Sequence, residues 1–307
     1  MAYPLRTEHP DEIYHITTRT IGSRLWFINN KSLEYLILGY LAKFSVQFNV
    51  TLYAFTLMGN HYHIMAKFPD QNKAAFMKAF NSIIARLVKS KVKQFEDGRL
   101  WSRRYADQVV LKDESIEHWM LYCGLNPIIS GVCKTLGEYE GYNSFNDAVS
   151  GRVREFRLFN RAKYLQESRW KKDIRKQDYI ETYTLSYERL VSYDDLSQSE
   201  YKRLMWEHLE DRRSFEIEKR VQEGKGFMTQ EARKNIKPGT KPKTTKTTDR
   251  YGFTPFVLCL CKKTKYEYLE QYFLMVARHR EASEKYRAGD YTVEFPPGTY
   301  RPPAFCA

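Results

Sequence analysis

The chain has 307 residues, 42% of them hydrophobic, with a formal net charge of +13 and a pI near 9.3. That is enough apolar content for a large folded core, and the charge makes a polyanion the default partner. No run approaches the ~20 apolar residues of a membrane-spanning helix, and the opening MAYPLRTEHPDEIYH has neither the basic start nor the apolar run of a signal peptide, so a soluble, cytoplasmic protein without membrane contact is expected.

In chain order, residues 13–20 (IYHITTRT) are rich in β-formers and read as a strand; residues 31–49 carry apolar side chains at helical spacing. A second strand follows at 50–57 (VTLYAFTL). Gly59-Asn60 marks a turn, and 61–68 (HYHIMAKF) reads as a third strand, near enough to pair as a hairpin. Residues 72–93 form an amphipathic, basic helix. After a loop at Gly98 come a strand at 108–112 and a helix from about 114 to 126, ended by Pro127. This order is the α+β, ferredoxin-like (RRM-like) βαββαβ antiparallel sheet with one helix added after the last strand.

Beyond residue 150 the character changes. Residues 1–150 carry 17 Lys and Arg against 14 Asp and Glu, whereas residues 151–307 carry 33 against 23, so the basic excess lies mostly in the second half. Residues 152–176 and 200–223 read as long charged helices, and 232–252 is a Lys/Thr/Pro/Gly stretch expected to be a loop or disordered arm. A short apolar run (FTPFVLCLC), a charged helix at about 265–287 and a Pro-rich tail finish the chain. The expected division is a ferredoxin-like domain at 1–150 and a basic, mostly helical extension at 151–307.

Five cysteines, Cys123, Cys133, Cys259, Cys261 and Cys306, contain no C-x-x-C pair, which suggests neither a disulfide framework nor a zinc ribbon. They are read as reduced thiols. The 23 tyrosines belong to a 15% aromatic content that offers flat faces for stacking on unpaired bases, pointing to single-stranded nucleic acid.

His61 and His63 stand two apart on a strand, so both imidazoles leave the same face, roughly 6 to 7 Å apart at the backbone, and can grip one cation. Alone, H-x-H reads equally well as two partly buried polar residues. Tyr62 between them points to the opposite face, as core. Tyr122 and Asn126 are four apart and share a helix face at ~6 Å. Read alone, Tyr122 is a core aromatic and Asn126 a helix C-cap before Pro127. Together with the histidines they make chemical sense. A free phenol has a pKa of about 10, so its ionised form costs about 4 kcal/mol at neutral pH, and a divalent cation beside a phosphodiester offsets such a penalty.

Three blocks in this order, LMGNHYHIMA (57–66), LWSRRYAD (100–107) and LYCGLNPIISGV (121–132), resemble the REP-associated tyrosine transposases, within the HUH single-strand transposases and nucleases. The resemblance covers roughly residues 10–150. It implies that His61 and His63 ligate Mg²⁺ or Mn²⁺, that Asn126 completes the metal site, and that Tyr122 attacks a DNA phosphate to leave a 5′-phosphotyrosyl link and a free 3′-hydroxyl. It further implies recognition of a hairpin with a short single-stranded guide at its foot, by a monomer or a homodimer. Relatives often carry Pro at the position of Gly59 and a bulkier residue at Gly124; a helix glycine costs ~1 kcal/mol and either loosens the nucleophile's helix or admits the DNA backbone. His118, one turn before Tyr122, is a candidate assistant.

For the DNA contacts, Arg103 and Arg104 beside Trp101 are candidates for phosphate binding and stacking. Arg86, Lys89, Lys91 and Lys93 form a basic helix cluster that suits a backbone track, and Lys234, Lys237, Lys241, Lys243, Lys246 and Arg250 line the Lys-rich arm. Each group also reads as ordinary solvated surface. Two other functions fit the composition: a non-catalytic binder or repressor of hairpin nucleic acid, and a phosphoesterase that uses water as its nucleophile.

Overall fold

A computed structural model describes residues 4–111, 113–242 and 255–302. Seven elements build the first part: β1 (Ile13–Arg19), α1 (Lys31–Gln47), β2 (Thr51–Leu57), β3 (His61–Lys67), α2 (Lys73–Lys91), β4 (Ala106–Val110) and α3 (Asp113–Ile129). The sheet order is β2-β3-β1-β4, with every one of these neighbours antiparallel, which is the ferredoxin-like arrangement expected from the element order.

Alternation along the strands gives the sheet two different faces. On one, Tyr62 packs against Phe55 and Phe80, with ring centroids 5.9 and 5.5 Å away, so α2 covers this side and α1 lies beside α2. Phe55, Tyr62, Ile64, Phe76 and Phe80 have essentially no exposure. Burying each such side chain contributes about 1.5–3 kcal/mol. The other face is polar, and α3 covers it.

Helix α3 differs from its expected form at one point. Pro127 does not end it; the helix runs on to Ile129 and closes where Gly131 adopts a left-handed φ of +74°. Proline has no N–H for the carbonyl four residues earlier. That carbonyl, of Cys123, accepts the Thr56 hydroxyl from β2 instead, at 2.8 Å. The broken helical bond thus becomes a link between α3 and the sheet.

The second part contains α4 (Phe145–Ser150), β5 (Arg154–Phe159), α5 (Arg161–Glu167), β6 (Ile180–Leu185), α6 (Gln198–Gln222), α7 (Gln230–Lys234), β7 (Val257–Leu258) and α8 (Lys262–Arg287). It corrects the expectation of one helix over 152–176: β5 and β6 form an antiparallel hairpin that lies on α1, where the Tyr35 hydroxyl accepts from the Arg157 N–H at 2.9 Å. The alternation of Phe156 and Leu158 with Glu155, Arg157 and Phe159 is a strand period, buried on one side only. β7 adds a fifth strand to the central sheet, parallel to β4.

α6 begins with a capping box between Ser197 and Glu200 and runs along α3. Three links tie the pair: His208 Nδ1 to Glu117 at 2.8 Å, Arg212 to the His118 carbonyl at 2.9 Å, and Arg220 to the Ile129 carbonyl at 2.9 Å. The last satisfies a free carbonyl at the negative end of α3. Gly124 faces this interface: a Cβ there would meet Phe145 at 3.3 Å and Leu209 at 3.5 Å. Its lack of a side chain serves helix packing. Gly59 is likewise packed, since a Cβ would stand 2.8 Å from Ile28 and 2.9 Å from Leu25.

Candidate functional site

The polar face of the sheet is built by register. Arg19 stands opposite His61, Thr17 and Thr56 flank His63, and His15 pairs with Gln108 on β4. Facing residues of neighbouring strands share a face. His15, Thr17, Arg19, Gln108, Thr56, His61 and His63 therefore form one polar patch, and α3 lays Trp119, Tyr122 and Asn126 over it.

The four residues expected to form the site come together. The Tyr122 ring lies edge-on to His63 with centroids 5.8 Å apart, and His61 and His63 have centroids 5.0 Å apart. Asn126 is 4% exposed, and its amide is close enough to both imidazoles and to the Tyr122 hydroxyl to favour the charged form of each. It does not act as a C-cap.

The histidines are held neutral. Burial, followed by the positive field of Arg19, brings His61 down to about 3; burial and the neighbouring His61 hold His63 well below its ordinary value. Burial also lowers His15 to about 4. Neutral imidazole is the form that ligates metals. His61 Nδ1 is occupied by the Asn60 side-chain oxygen at 2.6 Å, and His63 Nδ1 by His15 Nε2 at 2.9 Å. His63 Nε2 is buried without a well-formed hydrogen bond, even with Asn126 nearby. An orphaned buried nitrogen is costly in a folded protein unless a ligand reaches it.

Tyr122 is half-buried, and burial raises its pKa, while Arg19 and Asn126 act against that rise. Two guanidiniums flank the tyrosine. Arg19 comes from the end of β1, and Arg212 from α6; each is half-buried and interacts with the Tyr122 charge. The loop at 100–104 docks beside Arg19, where the Ser102 backbone and hydroxyl both donate to the Arg19 carbonyl, and the charge of Arg103 adds to the local field. His118 binds Arg212 through Nε2 at 3.0 Å, so its partner is the arginine of α6.

Sequence reasoning missed His15, Arg19 and Arg212. His15-x-Thr17-x-Arg19 is an alternation of polar residues on β1 and was visible as such; Arg212 carried no local signal.

The proposed DNA contacts are scattered. Arg103, Arg104, Arg86, Lys91 and Lys93 are exposed, and Lys89 is exposed but paired with Asp97 at 2.8 Å. Trp101 is already engaged: its indole N–H donates to the Asn81 carbonyl at 3.0 Å and its ring packs on Tyr62 and Phe27. In the Lys-rich arm, Lys234, Lys237 and Lys241 are exposed, whereas Lys243, Lys246 and Arg250 lie outside the described residues. The start of the arm is pinned: the Leu25 N–H donates to the Thr240 carbonyl, the Gly239 N–H donates to the Leu25 carbonyl, and the Asn29 side chain donates to the carbonyls of Arg233, Lys234 and Ile236.

The fold and the patch define a class: a ferredoxin-like α+β domain with a helix-borne tyrosine over a histidine pair. Residues 10–123 match the family model described as "Transposase IS200 like". Among solved structures, a REP-associated tyrosine transposase bound to a REP hairpin is 15% identical, with 49% of this chain and 87% of that chain covered and a TM-score of 0.41. A putative transposase from Deinococcus radiodurans R1 is 18% identical, covering 40% of this chain and 93% of that one, with a TM-score of 0.28. No curated protein matches the chain. No helix among the described residues is long and apolar enough to cross a membrane.

Proposed function

We propose that this transposase cuts and rejoins single-stranded DNA at hairpin-associated sites, with Tyr122 as the nucleophile. The observation that carries the reading is the convergence of Tyr122, His61, His63 and Asn126 on one buried patch flanked by Arg19 and Arg212. The hairpin follows from the resemblance of the 57–66, 100–107 and 121–132 blocks.

His61, His63 and Asn126 would hold a divalent cation, Mg²⁺ or Mn²⁺. Three neutral donors leave its charge uncompensated, which suits a bound phosphodiester. Such an ion, when present, supplies Lewis-acid stabilisation to the phosphate oxygens. The chain's own residues do the rest. The Tyr122 oxygen forms a bond to phosphorus as the bond from phosphorus to the 3′ oxygen breaks; the phenol proton leaves to water and the departing oxygen takes one up as a 3′-hydroxyl. Arg19 and Arg212 stabilise the phenolate as it forms, and Asn126 orients it. Reversal by a 3′-hydroxyl rejoins a strand. Exposed Arg86, Lys93, Arg103, Arg104 and Lys241 supply phosphate contacts outside the patch.

The test is incubation with end-labelled single-stranded hairpin DNA and Mn²⁺ or Mg²⁺, followed by a denaturing gel. A protein-linked strand is expected, and Tyr122→Phe should abolish it while retaining DNA binding. Cleavage that survives Tyr122→Phe without a linked product would indicate water as nucleophile; binding with no cleavage by the wild type would indicate a non-catalytic binder.

A further inference from the structure

Gln108, His15 and His63 make a chain of hydrogen-bonding side chains from β4 through β1 to β3, under the cover of α3. We propose that this chain is a tautomer relay, in which Gln108 sets the ring hydrogen of His15 and His15 sets that of His63, so that His63 Nε2 offers a lone pair to the cation. The proposal rests on the reading of His61, His63 and Asn126 as cation ligands.

A neutral imidazole has one N–H and one bare nitrogen. His15 is engaged at both: Nδ1 lies 3.1 Å from the Gln108 side-chain oxygen, and Nε2 lies 2.9 Å from His63 Nδ1. An amide oxygen only accepts, so His15 Nδ1 carries the hydrogen and donates. Its Nε2 is then an acceptor, and His63 Nδ1 must be the donor. The single hydrogen of His63 is used there, which leaves Nε2 bare. That is the buried atom without a well-formed hydrogen bond. The opposite polarity, with the Gln108 amide nitrogen turned to His15, would place a hydrogen on His63 Nε2 and exclude ligation.

The surroundings hold the relay in place. His15 and His63 are 3% and 5% exposed, their rings stack 11° from parallel at 5.1 Å, and Trp119 lies 5.8 Å from His15 on α3. Ligand atoms of His15, His63 and Cys123 also lie within 4.8 Å of one another. The 2.9 Å between the two nitrogens rules against a shared ion: two nitrogens on one tetrahedral zinc sit roughly 3.3 Å apart, from bond lengths of about 2.0–2.1 Å. A hydrogen bond fits the spacing, and an outer partner that orients a metal-bound histidine is the usual arrangement. His15 is therefore a positioning residue.

The test reads the hydrogens directly. Metal-free protein labelled with ¹⁵N only at histidine is examined by long-range proton–nitrogen spectra at neutral pH, with signals assigned from His15→Gln and His63→Gln. His63 protonated at Nδ1 and bare at Nε2 is expected. Gln108→Leu should move that hydrogen to Nε2 and weaken Mn²⁺ binding, measured by calorimetry, by about 10- to 100-fold. Gln108→Glu, which still accepts, should keep the wild-type tautomer. A wild-type His63 carrying its hydrogen on Nε2, or a Gln108→Leu variant with tautomer and Mn²⁺ affinity unchanged, overturns the relay. The two readings fail separately: the expected tautomer without any DNA adduct removes strand transfer alone, and an adduct from a protein with His63 protonated at Nε2 removes the relay alone.

Discussion

Thr56 gives its hydroxyl hydrogen to the Cys123 carbonyl, 2.8 Å away, and so fixes α3, the helix that carries Tyr122, to the strand that runs beside His63. The carbonyl is free because residue 127 is proline. Both partners are buried, so Thr56→Val, which keeps the shape and removes the donor, strands a carbonyl. A loss of about 1–3 kcal/mol in urea unfolding is expected. Thr56→Ser should restore most of it. A valine variant as stable as wild type would mean that the link contributes nothing.

A cation seated on His61, His63 and Asn126 should stabilise the native state by mass action. At a free concentration near 100 times its dissociation constant the gain is about 2.7 kcal/mol. Thermal melts with Mn²⁺ against chelator should show this upward shift in wild type. His61→Ala and His63→Ala should each abolish it, and Asn126→Ala should reduce it. An equal Mn²⁺ shift in the His63→Ala protein would place the ion elsewhere.

Arg212 reaches the site from 94 residues beyond its partner His118, outside the segment that matches the family. Its guanidinium holds the His118 carbonyl and ring nitrogen and interacts with the charge on Tyr122. Since it is only half-buried, solvent screens part of that effect. Arg212→Gln is expected to slow adduct formation about tenfold, equivalent to about 1.4 kcal/mol of transition-state stabilisation. Single-turnover gels with saturating DNA measure it. Arg19→Gln should slow the reaction at least as much. A variant unfolding at the wild-type temperature with an undiminished rate would show that α6 only supports α3.

Much of this was legible in the sequence because it is local. His61 and His63 share a strand face by period two, and Tyr122 and Asn126 share a helix face by period four, so each pair follows from spacing, while the expectation that the pairs meet comes from the resemblance of the 57–66, 100–107 and 121–132 blocks. The alternation of His15, Thr17 and Arg19 on β1 is local, but placing them beside His61 and His63 depends on which residue of β1 stands opposite which residue of β3, a pairing across more than 40 positions that no local pattern encodes. Pro127 misled as a stop signal because its lost hydrogen bond is replaced by Thr56, another long-range partner. The hairpin of β5 and β6 was hidden by charge: its outward residues are charged enough to imitate a solvated helix, and only Phe156 and Leu158 face inward.

Stability in mild acid follows from the neutral histidines. His15 and His61 titrate at about 4 and about 3 when folded, His63 also lies well below its ordinary value, and all three return toward 6.5 on unfolding. Below pH 6.5 the unfolded chain therefore binds protons that the folded chain refuses, so stability falls with pH. The contribution is fully present above 6.5 and is lost progressively down to about 3 to 4. Each histidine adds a slope of up to about 1.4 kcal/mol per pH unit within that window. Urea unfolding of metal-free protein at pH 7, 6 and 5 checks this before most carboxylates begin to protonate, and His15→Gln should flatten the dependence by about one histidine's share. Wild-type stability that stays level between pH 6.5 and 5 would mean that these imidazoles are not held neutral by the fold.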